Sequence, residues 1–158
     1  MSVESVKEYL RKWNKDKDVM EFDISSATVE LASVAVGVIP ARIAKTLSFL
    51  LKDGSCALIV TAGDAKIDNS KYKHIFSCKA KMLTPEELSE FTGHPIGGVC
   101  PFDIKNPNVT VYLDESLKRF DTVFPAAGSS SSAVRMTCAE LFETSKAKEW
   151  IDVCKLVE

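Results

Sequence analysis

The sequence predicts a mixed α/β fold of the α+β type, in which short helices surround a mixed, partly closed, β-barrel-like sheet. Short apolar runs of strand length alternate with segments that begin at helix-capping residues. These segments follow no regular strand–helix–strand rhythm. The chain also has neither a Gly-x-Gly-x-x-Gly motif nor a P-loop, so neither common nucleotide-binding fold is supported. Its 158 residues contain no repeat or long linker, and we expect one domain over residues 1–158.

The helices are predicted from apolar spacing and from caps. Apolar residues at helical spacing predict a helix over 2–15, and Thr28 and Gly37 are typical caps of a helix that ends at Val36. A helix is also expected over 69–76. Two Thr-x-x-Glu capping boxes, at Thr84 and Thr137, predict helices to about 92 and to about 148.

The strands are predicted from short apolar or alternating runs. The Asp53-Gly54 pair indicates a hairpin between its two flanking strands. The strands are expected over 19–24, 44–51, 56–61, 78–83, 109–113, 121–124, 133–136 and 150–157.

The bulk composition narrows the function classes. The hydrophobic fraction of 46% and charged fraction of 27% are ordinary for a globular domain. No apolar run approaches the ~20 residues that span a membrane, and the acidic, polar start is no signal peptide, so we expect a cytoplasmic protein without a membrane partner. Five scattered cysteines and two histidines offer no ligand spacing, which predicts neither disulfides, nor a metal site, nor another cofactor.

The charge distribution is uneven along the chain. The net charge of −2 does not favour DNA as a partner. Five lysines against one acid lie between Lys66 and Lys81, which suits either a local phosphate-binding patch or an ordinary solvated surface. A small patch fits a partner that is touched at one end better than a long duplex.

The segment 93–102 is the most informative part of the chain. It holds three glycines and two prolines in ten residues, between a predicted helix and a predicted strand. Such a loop can be rigid and present bare backbone N–H groups to a carbonyl or an oxyanion. The alternative is a tight connection that uses glycine and proline only for turning.

Three side chains are candidates for chemistry, and each has a plainer alternative. Lys45 shares a strand face with apolar residues, where it either lines a cavity and binds a phosphate or extends from an edge to water. Cys100 is a potential nucleophile or a small buried hydrophobe, and no base can be assigned to it. His94 precedes a proline and is expected to cap the preceding helix rather than to act in catalysis.

These residues together resemble a known family. Lys45-Thr46-Leu47 in an early strand, the segment 97–101 (Gly-Gly-Val-Cys-Pro) and Ala127-Gly128-Ser129 match the YbaK family of aminoacyl-tRNA editing domains, which also occurs inserted in bacterial prolyl-tRNA synthetases. The resemblance covers about 19–150. It implies a YbaK-like fold and a trans-editing deacylase that hydrolyses the ester of a mischarged tRNA, typically tRNA for proline that carries a small non-cognate amino acid.

The resemblance also implies a set of site residues. Lys45 matches the lysine that contacts the tRNA 3′ end, and Gly97 and Gly98 belong to the loop that contacts the aminoacyl group; we expect these three to be catalytic. The residues expected to bind substrate are Thr28, Thr46, Val99, Cys100, Pro101, Gly128 and Ser129. Some family members place a Gly-Ser or a Gly-His element where this chain has Gly128 and Ser129, and no histidine is present there. The expected partners are the 3′ aminoacyl end of a mischarged tRNA and an aminoacyl-tRNA synthetase.

Ester hydrolysis of this kind needs little side-chain chemistry. An aminoacyl ester is already labile, and one positioned oxyanion donor is worth ~10²–10³-fold. Backbone N–H groups of the loop, with water as the nucleophile and the terminal ribose hydroxyl assisting, would suffice. The competing classes are a non-catalytic module that binds tRNA or a synthetase, a thiol enzyme that uses Cys100, and a binder of small ligands. The sequence does not name the amino acid that is removed.

Overall fold

Five short helices lie around the sheets in the computed structural model, which describes residues 2–26, 28–94 and 99–157. The helices are α1 (Val3–Leu10), α2 (Val29–Val36), α3 (Asn69–Phe76), α4 (Pro85–Thr92) and α5 (Cys138–Ser145). Side chains of Ser2, Thr84 and Thr137 form capping boxes, and those of Thr28 and Asp68 cap α2 and α3. Each helix therefore begins where a short polar side chain satisfies a free backbone N–H group.

In the described part of the chain, nine strands form one five-stranded sheet and two small two-stranded sheets. The strands are β1 (Val19–Glu21), β2 (Ile43–Leu50), β3 (Cys56–Ala62), β4 (Ala65–Ile67), β5 (Val109–Asp114), β6 (Phe124–Pro125), β7 (Ser132–Val134), β8 (Glu149–Ile151) and β9 (Cys154–Leu156). The large sheet has the order β6-β2-β3-β5-β8, while β1 pairs with β7 and β4 with β9.

The sheet is mixed because its two longest strands form a hairpin and its other neighbours do not. β2 and β3 are antiparallel, joined at Asp53-Gly54, whereas the β2–β6, β3–β5 and β5–β8 pairs are parallel. Every residue of β3 is buried, as expected for a central apolar strand. The mixed sheet with short peripheral helices confirms the predicted fold class, and the sheet is open rather than a closed barrel.

The outer edge of β2 is covered by two separate pieces of chain. β6 pairs with Ile43 and Ala44. Farther along, the backbone of Leu50 donates to Lys81, and that of Leu83 donates to Ser48. Lys45, Thr46 and Leu47 lie between these two pairings.

The apolar interior has two parts. The larger cluster packs β3 and β5 against α1, α3 and α5, with Leu10, Tyr72 and Leu141 fully buried. A smaller cluster consists of Ala32, Ile43, Phe124 and Ala133, and therefore joins α2 to the ends of β2, β6 and β7.

Two predicted strands are wrong in their form. Residues 78–83 make no strand, only an isolated bridge between Met82 and Phe49, because the cap of α4 begins at Thr84 and leaves little chain to pair. The predicted closing strand 150–157 splits into β8 and β9. The break follows from a hydrogen bond of 2.9 Å from the Val153 backbone N–H to Asp114 Oδ1. No helix within the described residues has the length and apolar character needed to cross a membrane.

Candidate active site

A small cavity lies beside the smaller apolar cluster, at the edge of β2. Its volume is about 110 Å³. Apolar side chains form most of its wall, and a few polar groups interrupt it. The lining residues are Ser26, Thr28, Val29, Ala32, Ile43, Ala44, Lys45, Thr46, Val99, Phe124, Ala126, Ser132 and Ala133.

Helix α2 forms one side of this cavity, through Thr28, Val29 and Ala32. Thr28 holds the start of the helix, because its Oγ1 accepts a hydrogen bond of 3.1 Å from the Leu31 backbone N–H. The turn after β3, at Gly63, also packs against this helix. A Cβ at Gly63 would lie 2.0 Å from the Pro40 carbonyl oxygen and 2.7 Å from Val29 Cγ1, so only glycine allows this approach.

Lys45 brings an unpaired positive charge to the cavity. Its ammonium makes no hydrogen bond or ion pair within the described residues, and the side chain is half-buried. Burial lowers the pKa of Lys45 below its ordinary value of 10.5, while the carboxylates of Asp64 and Glu30 act in the opposite direction with less effect. Asp64 is already bound to Arg119 by two hydrogen bonds of 2.9 and 2.5 Å. The Lys45 ammonium therefore remains available for an anion or a polarised oxygen.

Thr46 also lines the cavity, as predicted for a substrate-binding residue. Its Oγ1 is buried and has no hydrogen-bond partner in the described part of the chain. A buried hydroxyl without a partner costs about 1–3 kcal/mol, and such groups call for an explanation.

The serine-rich turn before β7 reaches the cavity through Ser132, not through the two residues predicted there. Ser132 Oγ accepts from the backbone N–H groups of Ala127 and Ser129, each at 3.2 Å, and so holds the turn closed. Gly128 has a φ of +102°, and a Cβ there would lie 2.6 Å from the Ser2 carbonyl oxygen. Gly128 and Ser129 therefore shape the turn and its contact with the start of α1, and neither lines the cavity.

The Gly/Pro loop contributes Val99 to the cavity. The predicted catalytic residues Gly97 and Gly98 lie outside the described residues. Pro101 is buried and lines a different groove, with Tyr9 and Ile104 among its neighbours.

Cys100 is fully buried and does not line the cavity. Burial raises the pKa of its thiol to about 12. His94 does not cap the preceding helix with its ring. Its Nε2 instead lies 3.4 Å from the Phe102 carbonyl oxygen and 3.5 Å from Cys100 Sγ. The structure thus places a histidine next to Cys100, a contact that the sequence did not reveal, but in a site that solvent does not reach.

Several lining residues escaped the sequence analysis. Phe124, Ser132 and Ala133 reach the cavity only because β6 pairs with β2 and β7 pairs with β1. Ser26 joins them through two hydrogen bonds to the Ser130 carbonyl, one from its backbone and one of 2.9 Å from its Oγ. The abundance of serines in 129–132 is a weak signal for such a wall.

The arrangement suits a ligand with a small apolar part and an anionic or polar end. Apolar walls accept the former, and the free Lys45 ammonium attracts the latter. Among the described residues, no group of three or more His, Cys, Asp or Glu side chains could hold a metal ion.

Comparison with known proteins points to one family of domains. A family model for the aminoacyl-tRNA editing domain matches residues 25–144. The uncharacterized protein YwhH of Bacillus subtilis (strain 168) is 56% identical over 155 residues, which cover 98% of each chain.

Two further similarities concern prolyl-tRNA synthetases. The proline–tRNA ligase of Thermotoga neapolitana is 29% identical over 132 residues, which are 83% of this chain but 22% of the ligase. A solved structure, that of a proposed trans-editing enzyme for prolyl tRNA synthetase, superimposes with a TM-score of 0.86 and 30% identity, over 97% of this chain and 96% of the other.

Proposed function

The chain belongs to the aminoacyl-tRNA editing domain family, and on that premise we propose that it is a trans-editing deacylase of mischarged tRNA. The substrate that we propose is tRNA for proline that carries a small non-cognate amino acid. The similarity to prolyl-tRNA ligases and to a proposed trans-editing enzyme for prolyl tRNA synthetase supports this choice.

The observation that carries the proposal is Lys45 in the wall of a small, largely apolar cavity, with an ammonium that forms no ion pair within the described residues. An aminoacyl-tRNA presents the matching chemistry, because its 3′ end combines phosphates and ribose oxygens with a short amino-acid side chain. Lys45 would bind the terminal nucleotide and so place the ester at the cavity.

The reaction is the hydrolysis of one ester bond. A water oxygen attacks the carbonyl carbon and the bond to the ribose oxygen breaks. One water proton passes to that ribose oxygen, so that the free amino acid and the tRNA hydroxyl leave. We propose that backbone N–H groups of Gly97 and Gly98 stabilise the developing oxyanion, a contribution of ~10²–10³-fold for one donor. No side-chain nucleophile takes part, and Cys100 acts only through packing.

Selection against the cognate amino acid would follow from size and shape. A cavity of about 110 Å³ takes a short side chain most easily, and a mismatch of one methylene is worth only ~1–3 kcal/mol. Such a cavity would act as a second selection step after charging, because it hydrolyses only those esters whose amino acid is small enough to enter it.

The experiment is a deacylation screen over tRNA for proline charged with alanine, cysteine, serine, threonine or proline. Wild-type protein should hydrolyse at least one non-cognate ester and spare prolyl-tRNA. Lys45→Ala should lower kcat/KM about 10- to 100-fold, the worth of a charge-assisted hydrogen bond, at an unchanged melting temperature.

Lys17→Ala is the matched control, since Lys17 is exposed and has no ion pair within the described residues. The proposal fails if no mischarged tRNA is hydrolysed faster than in buffer. The role of Lys45 fails if the two lysine variants behave alike. Gly97→Val tests the loop, and it should reduce turnover more than tRNA binding because a Cβ prevents close approach.

A further inference from the structure

A second positively charged surface lies along the edge of the sheet, beyond the cavity. Between Asn69 and Pro85 the chain carries four lysines and one histidine but no acid, in a protein whose net charge is −2. Of these lysines, Lys71 binds Asp152 at 2.9 Å. Lys73, Lys79 and Lys81 are exposed and form no ion pair within the described residues.

Two of these free lysines converge on one groove. Lys73 comes from α3 and Lys79 from the segment that follows it, and both line a groove of about 460 Å³ together with Asn69, Ser70 and Ala80. The lining of this groove contains no acid, although Glu149 and Asp152 line an adjoining groove that shares Ser70. Asp68 precedes α3 and caps it, because its carboxylate accepts a hydrogen bond of 3.0 Å from the Lys71 backbone N–H. That carboxylate is thus already engaged with the helix.

Lys81 follows Ala80, which lines this groove, and its backbone pairs with β2, the strand that carries Lys45. Its carbonyl accepts a hydrogen bond from Leu50, at the far end of the strand that carries Lys45. Five residues of extended strand separate Lys45 from Leu50, which is about 17 Å. At ~3.4 Å per stacked nucleotide, this is the length of about five nucleotides of one strand.

We propose that Lys73, Lys79 and Lys81 bind backbone phosphates of the tRNA acceptor arm while its 3′ end occupies the cavity. This inference rests on the proposed function, because it takes the occupant of the cavity to be a tRNA end. RNA fits the surface because a row of phosphates continues away from the 3′ end over the ~17 Å of strand that separate Lys45 from the backbone pairing of Lys81 with Leu50. Phosphate contacts of this kind set the position of the tRNA without reading its bases.

The test compares a long substrate with a short one. The Lys73→Ala/Lys79→Ala/Lys81→Ala variant is assayed on mischarged full-length tRNA and on the same amino acid esterified to adenosine. On tRNA, kcat/KM should fall at least tenfold at low salt, and its logarithmic dependence on salt should become shallower by about 2–3, since each lost phosphate contact removes ~0.7–0.9. On the aminoacyl-adenosine, kcat/KM should stay within twofold of wild type.

The control is the Lys17→Ala/Lys105→Ala/Lys148→Ala variant, which removes the same charge from three other exposed lysines. Equal losses in the two triple variants would overturn the proposal, since net charge alone would then explain them. Equal losses on the long and short substrates would also overturn it. An unchanged affinity of the Lys73/Lys79/Lys81 variant for tRNA would also overturn the proposal. The surface would then bind another partner, such as an acidic protein.

Binding of uncharged tRNA is measured alongside, so that the two proposals can fail separately. If wild-type protein hydrolyses nothing but binds tRNA, and only the Lys73/Lys79/Lys81 variant loses this binding and its salt dependence, the surface is established and the deacylase proposal fails.

Discussion

Cys100 Sγ lies 3.5 Å from Nε2 of His94, and both side chains are fully buried. A cysteine–histidine contact is the usual arrangement of a thiol nucleophile. Such a nucleophile also needs a lowered thiol pKa and access to solvent, and this pair has neither. Burial raises the pKa of the thiol to about 12 and lowers the pKa of His94. Both groups are therefore neutral at pH 7, and their contact joins the two ends of the Gly/Pro loop.

Cys100→Ala should accordingly keep most of the deacylase activity. We expect kcat/KM within a few-fold of wild type and a loss of about 1 kcal/mol in the free energy of unfolding, the typical effect of a small core truncation. Steady-state kinetics and urea unfolding measure the two quantities. An acyl-thioester trapped on Cys100, or complete inactivation of a folded variant, would show instead that the thiol is catalytic.

The buried His94 should make stability depend on pH. Because burial lowers its pKa below the ordinary value of 6.5, the unfolded chain binds a proton more readily than the folded one. The free energy of unfolding should therefore fall as the pH decreases below 6.5, and level off below the pKa of the folded state. Carboxylates such as Asp64, whose pKa Arg119 lowers from 3.8, add their own loss only at more acidic pH.

Urea unfolding between pH 5 and 8 measures this dependence. His94→Gln should flatten the curve in that range. His74→Gln, which removes the other, exposed histidine, is the matched comparison. Curves of the same shape for the two variants would assign the titration to other groups.

Thr46→Val should separate stability from activity. Replacement of a buried hydroxyl that has no partner by a methyl group should leave the free energy of unfolding unchanged or raise it by about 1 kcal/mol. If the hydroxyl binds substrate, kcat/KM falls in the same variant. A loss of stability above 1 kcal/mol would indicate that Thr46 Oγ1 has a partner in the protein after all.

Gly128→Ala should destabilise the fold rather than act on the substrate. Its Cβ would meet the Ser2 carbonyl oxygen at 2.6 Å and Val6 Cγ2 at 2.9 Å, an overpacking that costs about 1–3 kcal/mol. Gly54→Ala is the matched control, because Gly54 has a similar positive φ of +84° but no atom within 4 Å of the added Cβ. A Gly128→Ala variant as stable as the Gly54→Ala variant, yet inactive, would restore the substrate-binding role predicted from the sequence.

Local signals predicted where the helices begin better than where they end, because α1 ends at Leu10 and α5 at Ser145, before the predicted 15 and 148. The capping boxes at Thr84 and Thr137 place the starts of α4 and α5 correctly, since a cap depends only on residues a few positions apart. The strand predicted over 78–83 failed because pairing depends on what lies opposite. There, only Met82 bridges to β2. β4 was missed for the same reason, as its partner β9 is far away in the chain.

The residues of the candidate site differ in the same way in how far the sequence alone predicts them. Lys45 could be found from the sequence because a lone lysine on an apolar strand face is unusual, and the structure places it at a cavity with Thr28, Thr46 and Val99. Phe124 and Ser132 carry no such signal, because only strand pairing brings them there. Gly128 was predicted from its neighbours in the motif, but its immediate surroundings are the start of α1.

Gly63 lies outside the cavity, yet its missing side chain determines how close α2 can approach β2. The space between Gly63 and its neighbours Pro40 and Val29 is too small for even one methyl group. Any larger residue at this position would have to displace the Pro40 backbone or the side chain of Val29, which lines the cavity. If the cavity selects the amino acid as we propose, its fit is therefore open to adjustment, in evolution or by design, from a position that does not line it.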